Sequence, residues 1–292
     1  LGEHAAALAD VEEALRIGEA RVRRGLAALP PGRHAIEEEQ DDGSVWRAAV
    51  TIAPEDLTVD LRGNPAQQAR PVNLSRDGAV IAAQMVLKAL CDPERGANAG
   101  SFAPLVVLTD PGSVFDADGT APQGYYFETR IRLYDLLWRA LARAMPDRLP
   151  AGHFGTIGGL VVADRDGLSA MFSASHGETF CCPAEIAEAR YGLIVERRAL
   201  AEGTGGAGLH RGGDGLSTAF RLRGEATLSV GLGRTRVPVW GSAGGGEGGC
   251  NRLTVERADG TAQALRMASG IALGPGDRVV AETAGGGGWG AP

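Results

Sequence analysis

Near the start of the chain, apolar residues recur every three or four positions: Leu8, Val11, Leu15, Gly18, Val22 and Leu26, with acidic residues and arginines between them. That spacing is one face of an α-helix. It predicts a long helix over 3–28, ended by Pro30-Pro31. The stripe is narrow for so long a helix, so it reads either as core packing or as a face docked on the body or on another subunit. The period then falls to two. Segments 34–38, 46–52 and 57–61 read as strands, joined by DDGS at 41–44 and PED at 54–56, and Asp-Gly is a strong hairpin signal. A second helix begins after Asn73 with Ser75 as N-cap, carries Val80, Ile81, Met85, Leu87 and Leu90, and ends at Asp92-Pro93. A strand at 104–109 leads into the turn Asp110-Pro111-Gly112-Ser113. The best-defined helix covers 129–145. Thr129 is its cap, Ile131, Tyr134, Trp138, Leu141 and Met145 form one face, and Pro146 stops it.

The second half is a succession of short strands. Segments 159–163 and 169–172 flank a turn at 164–167, and 193–197, 217–222, 226–230, 252–256 and 278–282 follow between glycine-rich or charged turns. Helices come early and strands late. The predicted fold class is α+β, with a long N-terminal helix, mixed helices and strands, and a β-rich C-terminal third holding glycine-rich loops. The expected division is a mixed region over 1–150 and a β-rich region over 151–292, which also reads as one continuous domain. No repeat of 20–50 residues is present.

Composition changes this picture in one respect. Glycine supplies 44 of 292 residues, about twice its usual share. It concentrates in three runs, GTGGAGLHRGGDG at 203–215, GSAGGGEGG at 241–249 and GGGGWG at 285–290. Runs this dense give up chain entropy for a defined loop shape and let backbone approach backbone or ligand. Hydrophobic residues are 44% and charged residues 22%, as in ordinary globular proteins, and the net charge of −7 argues against nucleic acid as the main partner. No segment approaches ~20 uninterrupted apolar residues, and no signal-peptide core is seen. The four cysteines, Cys91, Cys181, Cys182 and Cys250, form no CxxC pair, which makes a reducing cytoplasm the expected compartment.

The candidate chemistry is sparse. Residues 203–208 and 244–249 satisfy GxGxxG, but dinucleotide binding needs a strand before and a helix after, and neither run leads into a helix. A P-loop needs lysine behind a glycine loop. The one lysine, Lys88, lies in the helix VLKAL, so no P-loop is present, and any ATP that its process consumes is expected on another chain. The five histidines are scattered and no metal site is expected. His176, Glu178 and Cys181 approach a partial site whose spacing matches no metal pattern, and Cys181-Cys182 with His176 as base is a thiol nucleophile only if the fold joins them. Buried, inert cysteine is the simpler reading. His153, in AGHFGT, is the histidine best placed for chemistry, because small residues around it admit a ligand. Arg211 and Asp214 hold either a carboxylate or each other.

Several ordered blocks resemble the hydantoinase B family, a subunit type of ATP-dependent hydantoinases, 5-oxoprolinases and acetone or acetophenone carboxylases. They are DLRGNPAQQARPVN at 60–73, ANAGSFAPL at 97–105, PGSVFDADGTAPQGYYFETRIRLYDLLWRAL at 111–141, LPAGHFGT at 149–156, PAEIAEARYGLIVERRAL at 183–200 and the three glycine runs. The resemblance covers essentially the whole chain and matches the C-terminal half of longer family members. The family's N-terminal part, with its His- and Asp-containing metal segment, has no counterpart here. Cys181-Cys182 stand where the family often has Asn-Thr, and Gly203-Thr204 where it has Asp-Ser. The resemblance implies a cytoplasmic complex in which a hydantoinase A-like partner binds ATP, and another chain carries the missing half and a divalent metal. That complex hydrolyses a lactam, hydantoin or oxoproline, or carboxylates a ketone. Within it, Gly205, Gly206, Arg211, Gly212, Gly213 and Asp214 are the expected substrate or interface loop, with His153 as an outlying catalytic candidate. Where one chain supplies backbone donors to an oxyanion, rigid glycine loops suit the task.

Overall fold

The computed structural model describes residues 2–153, 155–156, 158–163, 168–171 and 183–292. It contains both helices and sheets, as an α+β chain should, and divides into two units. The first comprises 1–38 and 45–145, the second 39–44 and 146–292.

In the first unit, α1 (Gly2–Ala27) is followed by the hairpin β1 (Gly32–Glu39) and β2 (Val45–Ile52), then by β3 (Leu57–Asp60). α2 (Arg76–Cys91) crosses over to β4 (Leu105–Leu108), and α3 (Tyr126–Ala142) ends the unit. The sheet runs β1-β2-β3-β4. β3 pairs antiparallel with β2 and parallel with β4, so Val50, Val59 and Val107 lie in register. The helices cover the face that carries Val50, Leu57 and Val59, and Leu87, Leu133 and Leu137 complete that core. Ser75 caps α2 by accepting from the Gly78 amide at 3.2 Å.

One local reading needs correction and another is narrowed. α3 begins three residues before Thr129, which caps nothing: its hydroxyl donates to the Val72 carbonyl at 2.5 Å from inside the first turn. The stripe on α1 is buried only in part. Gly18, Val22 and Leu26 are covered, while Leu8 and Val11 are 65% and 56% exposed. At Gly18 a methyl group would strike the Asn98 side chain, whose amide donates to the Ala14 carbonyl. α1 is therefore anchored along its second half.

The second unit is a sandwich. β5 (Gly159–Ala163), β6 (Leu168–Met171), β9 (Ala226–Gly231) and β12 (Met267–Leu273) form one sheet in the order β12-β9-β5-β6. The other has the order β11-β10-β13-β8-β7, built from β7 (Leu193–Ala201), β8 (Gly215–Leu222), β10 (Arg252–Glu256), β11 (Ala262–Leu265) and β13 (Arg278–Glu282). Leu160, Leu228 and Val230 of the first sheet share one core with Phe220, Leu253, Val255 and Val279 of the second. The short helix α4 (Ala184–Arg190) precedes β7. The strands β11 and β12 and the helix α4 have no counterpart in the sequence reading. The turn at 164–167, Phe172, His176, Glu178, Cys181 and Cys182 lie outside the described residues.

Strand polarity places the glycine. The first run joins the end of β7 to the start of β8, the second precedes β10, and the third follows β13. Ser217 pairs with Glu282, and Glu282 with Arg252. All three runs therefore leave the five-stranded sheet at the same end.

Candidate functional site

Beyond that end the three runs hydrogen-bond to one another as a lattice of nearly bare backbone. Gly206 N–H donates to Gly286 O and Gly286 N–H to Gly213 O, both at 2.9 Å. Gly246 N–H donates to Ala207 O at 2.6 Å, Gly288 N–H to Gly246 O at 2.9 Å, and Gly249 N–H to Thr204 O at 2.9 Å. At several positions no side chain fits between segments packed this way. A methyl group on Gly212 would lie on the Gly286 carbonyl, and one on Gly287 on the Trp240 carbonyl. Asn251, 1% exposed, ties the lattice to the sandwich: its carbonyl accepts from Ala284 N–H and its amide donates to Gly233 O, each at 2.7 Å. Both halves of the buried Asn251 amide are thereby satisfied, as burial requires.

Segment 146–153 lies against this lattice. Gly152 N–H donates to Trp240 O at 2.9 Å, and Gly152 O accepts from Gly287 N–H at 2.8 Å. Trp289 Nε1 donates to Pro146 O at 2.8 Å. Between segment and lattice is an open cleft of about 640 Å³. Its floor is glycine, at 212, 213, 286 and 287, and its polar side chains are Asp147, Arg148, His153, His210 and Arg211. His210 and Trp289 are held by a reciprocal pair of backbone bonds at 2.9 Å, with ring centroids 5.5 Å apart. His153 Nδ1 accepts from Gly155 N–H at 2.9 Å, which leaves the ring proton of the neutral imidazole on Nε2.

Four of the seven site residues expected from sequence, His153, Arg211, Gly212 and Gly213, therefore line one cleft. Gly205, Gly206 and Asp214 stand behind it. Asp214 Oδ1 accepts from Thr204 N–H at 3.0 Å, Gly205 N–H at 3.1 Å and Arg211 Nη2 at 2.5 Å. The arginine first, and the Gly205 amide next, bring its carboxyl down to about 2, and the pairing raises the guanidinium in return. Arg211 and Asp214 thus hold each other, with Arg211 still half exposed at the cleft. The glycine amides are mostly engaged: Gly205 with Asp214, Gly206 with Gly286, and Gly212 with Gly206. Of the four named glycines only Gly213 has an amide that donates to no acceptor among the described residues. Sequence reasoning missed His210 and Trp289 as paired neighbours on the lattice side of the cleft. Their signal was their place inside two separate glycine runs.

Other candidates carry less. Cys250 is a free thiol whose ionisation is pushed up by burial, with Asp41 adding to it, and so is unsuited to act as a thiolate nucleophile. Lys88 sits on α2, 3.4 Å from Asp92. Among the described residues no three His, Cys, Asp or Glu side chains gather as a metal ion would need, so those residues do not fit the divalent metal that the family resemblance implies. No helix among them is long and apolar enough to cross a membrane.

The profile of one family, hydantoinase B/oxoprolinase, matches residues 3–292. An uncharacterized protein of Methanocaldococcus jannaschii is 28% identical over 254 residues, covering 81% of this chain and 45% of that one. The B-type component of a putative D-/L-hydantoinase from Pseudomonas sp. (strain NS671) is 25% identical, covering 84% and 48%. Among solved structures, the ATP-dependent caprolactamase from Pseudomonas jessenii superposes with a TM-score of 0.80 at 21% identity, covering 98% of this chain and 56% of that one. A nucleotide-free acetone carboxylase gives 0.75 at 15%, covering 94% and 47%. These two likenesses concern the fold. The chain spans about half the length of these two sequence relatives.

Proposed function

Because the chain belongs to the hydantoinase B/oxoprolinase family, we propose that it is a subunit of an ATP-dependent complex that opens cyclic amides or carboxylates ketones. The profile match from residue 3 to 292 carries this reading. The fold shared with an ATP-dependent caprolactamase and an acetone carboxylase supports both branches of it. In this reading ATP is bound by a hydantoinase A-like partner, and a further chain supplies the half that the longer relatives possess. The complex works in the cytoplasm on a small molecule. Within it the glycine lattice is a rigid wall. Gly205, Gly206, Gly212 and Gly213 fix its shape, Asp214 sets Arg211 at its edge, and His153 faces them across the cleft as a candidate for proton transfer or for hydrogen bonding to substrate.

One observation favours a second reading, a scaffold without catalytic groups of its own. Most of the glycine amides that could stabilise an oxyanion are already bonded inside the lattice. Two measurements follow, the first on where ATP binds and the second between the two readings. Equilibrium dialysis should find no ATP bound to this chain alone, and stoichiometric ATP binding would overturn the assignment of nucleotide to a partner. Stoichiometric metal retained through gel filtration would favour the catalytic reading, and metal found only in the reconstituted complex would favour the scaffold.

A further inference from the structure

We propose that the cleft between segment 146–153 and the glycine lattice is an oxyanion-binding site that takes a carboxylate or phosphoryl group through Arg211. The inference deepens the functional reading above and rests on it, because both branches of that reading end in the same functional group. Opening a cyclic amide leaves a carboxylate, and carboxylating a ketone makes one. Where ATP activates that small molecule by phosphorylation, the phosphoryl group is a second oxyanion carried beforehand.

Four observations converge. First, the charged side chains lining the cleft are two arginines, Arg148 and Arg211, against one carboxylate, Asp147, and His153 and His210 add two imidazole rings beside them. Second, the one acid next to Arg211 is spent. Asp214 uses a single oxygen for Arg211 Nη2 and two backbone amides. A guanidinium has five in-plane N–H donors and this contact uses one nitrogen, so an edge remains for a bidentate anion. Third, Gly213, in the floor beside Arg211, has an amide without an acceptor among the described residues. Fourth, the floor is backbone locked to backbone, so the donors are set in place before a ligand arrives, which reduces the ordering cost of binding. Asp214 is then a positioning residue: it aims Arg211 without touching the ligand.

The test is calorimetric titration of the full chain with glutarate, phenylphosphonate and, as the uncharged control, glutaramide. Saturable binding of an acid without binding of the amide is expected. Glutarate as the tighter ligand assigns the site to the carboxylate, phenylphosphonate to the phosphoryl group. Arg211→Gln should weaken binding at least tenfold with an unchanged melting temperature. Asp214→Asn keeps an oxygen for the Thr204 and Gly205 amides and should weaken binding less. No binding of either acid, equal binding of glutaramide, or full affinity in Arg211→Gln would overturn the proposal. None of those results touches the ATP-coupled reading, which has its own assay in the complex. Failure of that assay with anion binding intact would sink the functional reading alone.

Discussion

Adjacent glycines in the cleft floor should respond in opposite ways to the same methyl group. In Gly212→Ala the new Cβ falls on the Gly286 carbonyl, a backbone atom that cannot swing aside as a side chain would. That carbonyl also accepts from Gly206 N–H, so relieving the overlap stretches a lattice bond. Overpacking of this kind costs about 1–3 kcal/mol, and a weakened buried hydrogen bond about 1 kcal/mol more. The stiffer unfolded chain returns about 0.4–1 kcal/mol. The net loss is about 2 kcal/mol, a fall in melting temperature of roughly 4–8 °C for a unit of this size. At Gly213 nothing lies within 4 Å of the added Cβ. Gly213→Ala retains only the unfolded-state term and should leave the melt unchanged or raise it slightly. Differential scanning calorimetry of the three proteins under one set of conditions decides the matter. Equal melting temperatures for Gly212→Ala and Gly213→Ala would refute the claim that close backbone approach, rather than loop flexibility, explains the glycine.

Three further outcomes follow from the same structure. Asn251→Ala strips partners from the Ala284 amide and the Gly233 carbonyl, and should destabilise by about 2–3 kcal/mol in urea unfolding; a loss below about 0.5 kcal/mol would mean that the lattice is not anchored there. Arg132→Met removes one of two arginines from the buried Glu38 carboxylate and should cost about 3 kcal/mol, read from the unfolding of the first unit; an unchanged midpoint would contradict it. The Asp214 carboxyl is depressed in the fold, so its pairing with Arg211 is fully present above an ordinary carboxyl's 3.8 and is lost as pH falls through about 2. An NMR carboxyl titration should place its midpoint near the lower value, and a midpoint at 3.8 or above would show that the pair does not form in solution.

What the sequence made readable follows local chemistry. Ser75 was legible as an N-cap because capping involves only the next three residues. The strands at 252–256 and 278–282 were legible as short apolar segments between glycine-rich or charged turns. Thr129 was misread because its hydroxyl is claimed by Val72, 57 positions away. The strands β11 and β12 escaped notice because AQAL and MASGIAL show little alternation, and the pairing of β12 with β9 shifts between Ala268 and Ile271. The family could be recognised from its ordered blocks. The cleft could not, since no pattern in AGHFGT, LHRGGDG or GGGGWG says that carbonyls and amides of Gly152, Gly213, Gly286 and Gly287 bring them together. Backbone-to-backbone recognition leaves glycine in the sequence but does not say which glycine meets which.

The central claim is that this chain belongs to a machine whose energy comes from ATP on a partner. The direct measurement is turnover by the reconstituted complex, with a panel of cyclic amides and of ketones plus bicarbonate, while following ATP hydrolysis with and without this chain. Substrate-dependent ATP hydrolysis and product formation should both require the chain. Full turnover in its absence, or turnover by the chain alone without ATP, would contradict the account.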